Sequence, residues 1–395
     1  MPLFARVLKS TKIALINLSL FVGSLLFCLI ALELAVRIFG TAPPAEMEDF
    51  RFTSSGFYQL DSELGWIPKP LIAGEHYRAG SFATKFHTNS QGLRDREYPQ
   101  SKPEGKYRIL VLGDSFTWGY GVEDNEIYTE ILETILPETE VINLGVTGYS
   151  LQQEILYFKR KGLEYSPDLV VVGFCLNDIY PEDIDKAMGT SGLKVDDGTG
   201  NPLTRKGLFV VFKQAIRRSS AMYRFVVDRL NTNEALVKAL VKLGIKDSLA
   251  GFESLDVNIM PALRVYPPSL KLSWKETRKE LLELQSMLRD LNIGLIIAVI
   301  PSVQSVEDKP FRQAISYLTY EAEDFDLDKP YRLLDEFAIE HGLKMVIPIV
   351  RFRELTEDGC ELYLKRDMHF NPTGHRVFAE AIAEYLSNGA QTNLR

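Results

Sequence analysis

Three short apolar runs, each closing on a polar loop that contains glycine or asparagine, constrain this chain most strongly. They are residues 108–112 (RILVL), 141–144 (VINL) and 169–174 (LVVVGF). Between them, 124–136 and 151–161 carry helical spacing. A strand that is apolar along its whole length must be covered on both faces, and strands alternating with helices pair in parallel. The alternation returns further on. Ser273 with Glu276 predicts a capping box for a helix over 274–291. Residues 293–300 (IGLIIAVI) read as a strand stopped by Pro301. Asp328 is placed to cap a helix running from near Pro330 to His341-Gly342, and 343–350 read as the fifth strand. Asn371-Pro372 then opens a last helix that runs to about Leu386. The expected fold is an α/β three-layer sandwich around a five-stranded parallel sheet.

Ahead of this pattern, residues 13–32 form a run of twenty without a charge. As a helix it would reach roughly 30 Å, the thickness of a bilayer's hydrocarbon core. Arg6, Lys9 and Lys12 precede the run and Glu46, Glu48 and Asp49 follow it, so the basic end is expected in the cytoplasm and the bulk of the chain outside it. A cleavable signal sequence competes with a retained anchor. The apolar stretch exceeds a signal core of about 7–15 residues and no clear cleavage site follows, which favours the anchor. Cys28 lacks the small residues that precede a lipidated cysteine. The expected organisation is a cytoplasmic N-terminus (1–12), a transmembrane anchor (13–39), a polar stalk and extension with short strands (40–106), and one large α/β domain (107–395).

Composition narrows the function classes. Hydrophobic residues are 46% and charged residues 25% of 395, which suits a globular domain and argues against a polytopic membrane protein. Acidic residues outnumber basic ones, 53 to 45, so a phosphate backbone is not the expected partner. Three cysteines, Cys28, Cys175 and Cys360, make no zinc spacing, and two separate buried thiols are expected rather than a Cys175–Cys360 bridge. No phosphate-binding glycine loop opens a helix, and no cofactor is expected. A long insertion, 181–272, separates the third and fourth strands; within it, 205–246 hold ten Lys/Arg against Asp228 and Glu234. It reads as a helical lid with a solvated basic face, or as a surface that meets anionic lipid or an acidic polymer.

Four loops could carry chemistry. The first strand runs into Gly113-Asp114-Ser115, which presents Ser115 beyond the carboxyl edge of the sheet, where ligands of open α/β folds bind. Alone, Ser115 is as good a turn former as a nucleophile. The second strand leads to Gly148, able to offer an unobstructed backbone N–H or to serve as a plain turn. The third leads to Asn177-Asp178, where Asn177 could aim its amide at the same crevice or cap a helix. After the fifth strand come Asp367, Met368 and His369. A serine hydroxyl needs a base to act as a nucleophile and the base needs an orienting acceptor, and His369 and Asp367 supply those types. His375 falls in the first turn of the last helix and reads as a packing or capping residue; a metal site of Asp367, His369 and His375 has no further ligand in view.

Ser, Gly, Asn and His in this order, each after a strand, resemble the four blocks of the SGNH (GDSL-like) hydrolase superfamily. The resemblance runs from about Tyr107 to Leu386 apart from the insertion. Two departures stand out: Phe116 replaces the usual leucine of the first block, and one residue rather than two separates Asp367 from His369. The shorter spacing looks like that of membrane-anchored or exported bacterial branches that act on cell-surface polysaccharides. The resemblance implies a flavodoxin-like sandwich and an esterase in which Ser115 attacks, His369 is the base and Asp367 orients it. The Ser115 and Gly148 N–H groups and the Asn177 amide would form the oxyanion hole. It implies an acylated glycan or lipid as substrate, and an inner-membrane protein with a periplasmic catalytic domain. Two alternatives stand beside it: an O-acyltransferase acting on a polysaccharide, and a non-catalytic, membrane-tethered glycan-binding or assembly protein.

Overall fold

The computed structural model describes residues 2–39, 57–78, 81–179, 219–231, 259–315, 318, 320–365 and 367–392. Most of the insertion expected over 181–272, and the stalk residues 40–56, lie outside them. The chain divides into two compact units, Met1–Met47 with Asp197–Leu243, and Glu48–Asp196 with Gly244–Arg395.

In the first unit, a single helix spans Pro2–Ile38, longer at both ends than its uncharged run. Its part Ile16–Ile38, of mean hydropathy 2.3, is long and apolar enough to cross a membrane, as a membrane anchor or a signal sequence is. Glu33, near its end, receives the start of the helix Ala221–Asn231: the Ala221 and Met222 N–H groups donate to its carboxylate at 2.8 and 2.9 Å, and Ser220 Oγ at 2.8 Å. Arg37 pairs with Glu33 at 2.7 Å and donates to the Ser219 carbonyl at 2.6 Å. A carboxylate from one helix thus satisfies the orphan first-turn donors of another.

The second unit opens with two antiparallel hairpins. One pairs β1 (Tyr58–Asp61) with β2 (Gly65–Pro68), the other β3 (Ala73–Arg78) with β4 (Phe82–His87). The main sheet follows: β5 (Tyr107–Gly113), β6 (Thr139–Asn143), β7 (Leu169–Phe174), β8 (Gly294–Val299) and β9 (Met345–Val346), all parallel, in the order β6-β5-β7-β8-β9. Alternation along the strands builds two cores. Leu110, Leu112, Ile142, Val170, Val172 and Ile297 face the helices Leu151–Arg160, Pro268–Asp290 and Lys329–His341. Ile109, Val111, Val141, Val171 and Ile296 face Tyr128–Ile135 and Pro372–Thr392. This is the doubly wound sandwich the apolar runs imply.

Several boundaries differ from the sequence expectation. The 274–291 helix begins at Pro268, because the Pro267-Pro268 pair sets its start; Ser273 lies inside it and donates to the Ser269 carbonyl instead of capping. Asp328 stands at the N-terminus of Lys329–His341, but its side chain makes no cap and pairs with Arg353; Gly342 closes that helix at φ 63° as expected. The run 343–350 holds only a two-residue strand, since Pro348 removes a ladder donor and Ile349–Glu357 turns helical. The helix over 124–136 resolves into a 3₁₀ turn at Asp124–Glu126 and an α-helix at Tyr128–Ile135. The three thiols are separate, but of the two expected to be buried only Cys175 is; Cys360 is exposed, in the polar turn that follows Ile349–Glu357.

Arg108, first in the RILVL run, points into the protein rather than into water. Its Nε and Nη2 donate to Glu140 Oε2 at 2.8 and 2.6 Å, and Nη1 to the Tyr165 and Gln100 carbonyls at 2.6 and 3.0 Å. Both side chains lie among the buried residues. Removing one partner strands the other charge, so Arg108→Leu is expected to destabilise the protein by about 3–5 kcal/mol in chemical denaturation. A change below about 1 kcal/mol would show that the pair contributes no more than a surface ion pair does.

Candidate active site

Ser115 begins a one-turn helix, Ser115–Trp118, directly after β5. Asp114 caps it, accepting from the Phe116 N–H at 2.9 Å, and Gly119 ends it at φ 84° in the left-handed region. The tight bend leaves Ser115 only 7% exposed. Crowding around it demands glycine: a Cβ on Gly145 would stand 2.4 Å from the Trp118 backbone nitrogen. Asn143, at the end of β6, ties these segments together by donating to the Thr117 carbonyl at 2.8 Å and accepting from Gly145 N–H at 2.8 Å.

His369 lies 254 positions from Ser115 in sequence, and its Nε2 is 2.6 Å from Ser115 Oγ. Its Nδ1 is 2.5 Å from Asp367 Oδ1, which also accepts from the His369 N–H at 2.9 Å. The bend that lets residues two apart converge is closed by Leu364 N–H donating to the His369 carbonyl at 2.9 Å. The imidazole lies between Phe116 and Tyr120, with ring centroids 4.8 and 4.9 Å away. The departure at Phe116 therefore packs against the histidine itself. Burial works against ionising Asp367, yet His369, by charge and hydrogen bonds, and Arg78 together hold its carboxyl down at about 2. Ionised Asp367 thus adds stability that is present above the ordinary carboxylate range, near 3.8, and is lost as the pH falls through about 2.

Asn177 sits in the 3₁₀ turn Leu176–Ile179 after β7, and its Nδ2 donates to Asp114 Oδ2 at 3.0 Å. The amide carries a second N–H for another acceptor. Gly148 follows β6 at φ 80°, a conformation that favours glycine, and it is exposed. The β1–β2 hairpin supports its loop: Trp66 Nε1 donates to the Thr147 carbonyl at 3.1 Å, and Tyr149 OH to the Trp66 carbonyl at 2.5 Å. His375 is apart from this group, fully buried, accepting from the Tyr128 N–H at 3.3 Å, and burial pushes its imidazole down to about 3. Among the described residues no cluster of three His, Cys, Asp or Glu side chains is arranged to hold a metal ion.

Other side chains enter that the motifs do not announce. Arg78, at the end of β3, pairs with Asp367. Arg94, buried, donates to the Trp118, Gly119 and Val122 carbonyls at 3.1, 2.6 and 2.7 Å, and so holds the far end of the Ser115 turn. Beneath Asn177 lies a group of buried acids. Burial first, then their mutual repulsion, pushes the carboxyls of Glu154 and Asp178 well up; burial raises Asp114 too. Neither carboxyl oxygen of Glu154 has a hydrogen-bond partner among the described residues. A signal for it existed: Leu151, Glu154, Ile155 and Phe158 share one helical face by spacing, and all four are buried.

Glu154 ionises near 4.5 when unfolded but only at much higher pH when folded, so it costs stability progressively as the pH rises above 4.5. Glu154→Gln removes that cost. The variant is expected to gain thermal stability relative to wild type at pH 8 and to lose the advantage at pH 4; an equal Tm difference at both pH values would show that Glu154 is not held protonated.

The model of the GDSL-like lipase/acylhydrolase family matches residues 111–377. Solved structures of similar shape include a member of the lipolytic G-D-S-L family from Veillonella parvula, at 15% identity, TM-score 0.37, over 70% of this chain and 97% of that one. The lipase/acylhydrolase from Enterococcus faecalis is similar at 12% identity, TM-score 0.37, over 71% and 96%. A catalytic mutant of an acetylxylan esterase from Geobacillus stearothermophilus is similar at 13% identity, TM-score 0.36, over 71% and 94%. No curated protein matches the sequence.

Proposed function

The chain belongs to the GDSL-like lipase/acylhydrolase family, and from that premise we propose that it is a membrane-anchored serine esterase that removes O-acyl groups, acetyl above all, from a cell-surface glycan or lipid. The observation that carries the reading is the hydroxyl–imidazole–carboxylate series, 2.6 Å from Ser115 to His369 and 2.5 Å on to Asp367. Distances of this size suit proton transfer by a general base. Ser115 Oγ attacks the ester carbonyl and forms the new C–O bond while His369 Nε2 takes its proton. Asp367 holds the tautomer and stabilises the imidazolium. The tetrahedral oxyanion is received by the Ser115 and Gly148 N–H groups and the free N–H of the Asn177 amide, donors that typically matter by roughly 10²–10³ in rate. His369 returns the proton to the leaving alcohol, and water, activated by the same imidazole, releases the acid and frees Ser115.

The acetyl preference and the glycan surface rest on the single residue between Asp367 and His369 and on the apolar N-terminal helix. Retention of that helix as an anchor is supported by the length of its apolar run and the lack of a clear cleavage site after it, and the charge flanking it supports a basic N-terminus inside and a catalytic domain on the periplasmic face of the inner membrane. In this reading residues 1–12 are cytoplasmic, 13–39 span the bilayer, 40–106 are stalk and extension, and 107–395 are the hydrolase domain with its insertion at 181–272.

The test uses the full chain in detergent with an activated acetyl ester. Ser115→Ala is expected to abolish turnover and fluorophosphonate labelling while leaving the thermal transition in place. Asn177→Ala should lower kcat by roughly 10²–10³ and still form the acyl-enzyme. Undiminished turnover in Ser115→Ala removes the nucleophile from the mechanism, and wild-type kinetics in Asn177→Ala removes its oxyanion role. With labelled acetyl donor and an added glycan acceptor, label released as acetate supports the hydrolase, whereas label on the glycan assigns an acyltransferase.

A further inference from the structure

Two charged side chains from outside the region that matches the family support the site: Arg94 holds the end of the Ser115 turn, and Arg78 touches the acid rather than the base. β3 is pinned next to the Ser115 turn by His76, which is fully buried. Trp118 Nε1 donates to His76 Nε2 at 3.1 Å, and the ring stacks on Phe86 with centroids 4.4 Å apart. Residues two apart on a strand share a face, so fixing His76 also directs Arg78. Arg78 Nη1 donates to Asp367 Oδ2, while Asp367 Oδ1 serves the two His369 nitrogens. The Asp367 side chain is 2% exposed and that of Arg78 is 29% exposed, so the guanidinium lies between the buried carboxylate and solvent.

We propose that Arg78 is a positioning residue of this esterase: it engages the outer oxygen of Asp367 and so fixes the plane and the charge in which Asp367 presents its inner oxygen to His369. Two chemical facts make this specific. A buried carboxylate with only one oxygen engaged can rotate about its Cβ–Cγ bond, and a second charged donor on the other oxygen stops that rotation. A buried acid without a nearby cation tends to take up a proton, and a protonated Asp367 no longer stabilises an imidazolium. The hairpin β3–β4 is then a working part of the site. This inference rests on the reading of Ser115, Asp367 and His369 as the hydrolytic group.

The experiment compares Arg78→Ala, Arg78→Lys, Ser115→Ala and His369→Ala in the full chain with the same acetyl ester. Arg78→Ala is expected to lose roughly 10- to 100-fold in kcat with KM within about twofold, the pattern of a misplaced catalytic group. Millimolar methylguanidinium should restore part of that kcat and restore nothing in Ser115→Ala. Arg78→Lys keeps the charge but not the planar fork, and should fall between wild type and Arg78→Ala. If Arg78→Ala does not fold, Arg78→Lys with its kcat-against-KM split decides. Wild-type kcat in a folded Arg78→Ala, or a loss that methylguanidinium leaves untouched, overturns the Arg78 role while inactive Ser115→Ala and His369→Ala leave the esterase reading standing. Activity that survives Ser115→Ala overturns the reading beneath it.

Discussion

Parallel pairing of β5, β6 and β7 puts Ser115, Gly148 and Asn177 at one rim, and most of the molecule follows from that levelling. The register sets Gly113 beside Gly173, and Val111 beside both Asn143 and Val171. Strands that start level end level, and the loops leaving them have only a few residues in which to diverge. His369 then reaches the same rim by a different route, through the turn between Tyr363 and Phe370, which are themselves bridged. Tyr363 OH donates to the Pro301 carbonyl at 2.9 Å, which ties that turn to the end of β8. The hydrogen bond between Ser115 and His369 therefore joins two loops that are each fixed to the sheet independently.

The segment ahead of the sheet is more than a stalk. One hairpin holds the loop of Gly148 through Trp66, and the other reaches the Ser115 turn through His76 and the Asp367 carboxylate through Arg78. Arg94, between the second hairpin and β5, donates to the carbonyls of Trp118 and Gly119 at the end of the Ser115 turn and of Val122 just beyond it. A one-turn helix has little stability of its own, so its shape depends on these external partners. The sandwich supplies the positions and the extension supplies the rigidity.

What the sequence discloses and what it hides divide along the same line. The strands and the loops that follow them are readable because burial on both faces leaves no freedom in composition, and Ser115, Gly148 and Asn177 each lie in such a loop; His369, expected in the loop after the fifth strand, lies instead beyond the helix Ile349–Glu357. Asp367 is readable through its neighbour His369. Arg78, His76 and Arg94 are not, since they lie in short, polar segments ahead of the sheet and act across the fold; Arg78 and Asp367 are 289 positions apart. Local chemistry also misleads in places. Ser273 followed by Glu276 spells a cap, but a proline pair upstream starts the helix sooner. The run 343–350 is apolar like a buried strand apart from Lys344, but Pro348 ends the ladder. Arg108 opens an apolar run and would be placed at a wet strand end; Glu140 on the neighbouring strand and the Tyr165 and Gln100 carbonyls explain its burial.

The contact between Glu33 and the start of Ala221–Asn231 joins two helices far apart in the chain. The acceptor for two main-chain donors and one hydroxyl resides on the N-terminal helix. Ser220 Oγ also accepts from the Tyr223 N–H at 3.0 Å, so the later helix has a cap of its own. What Glu33 adds is a fixed negative charge at the positive end of that helix, an arrangement worth about 0.3–1 kcal/mol.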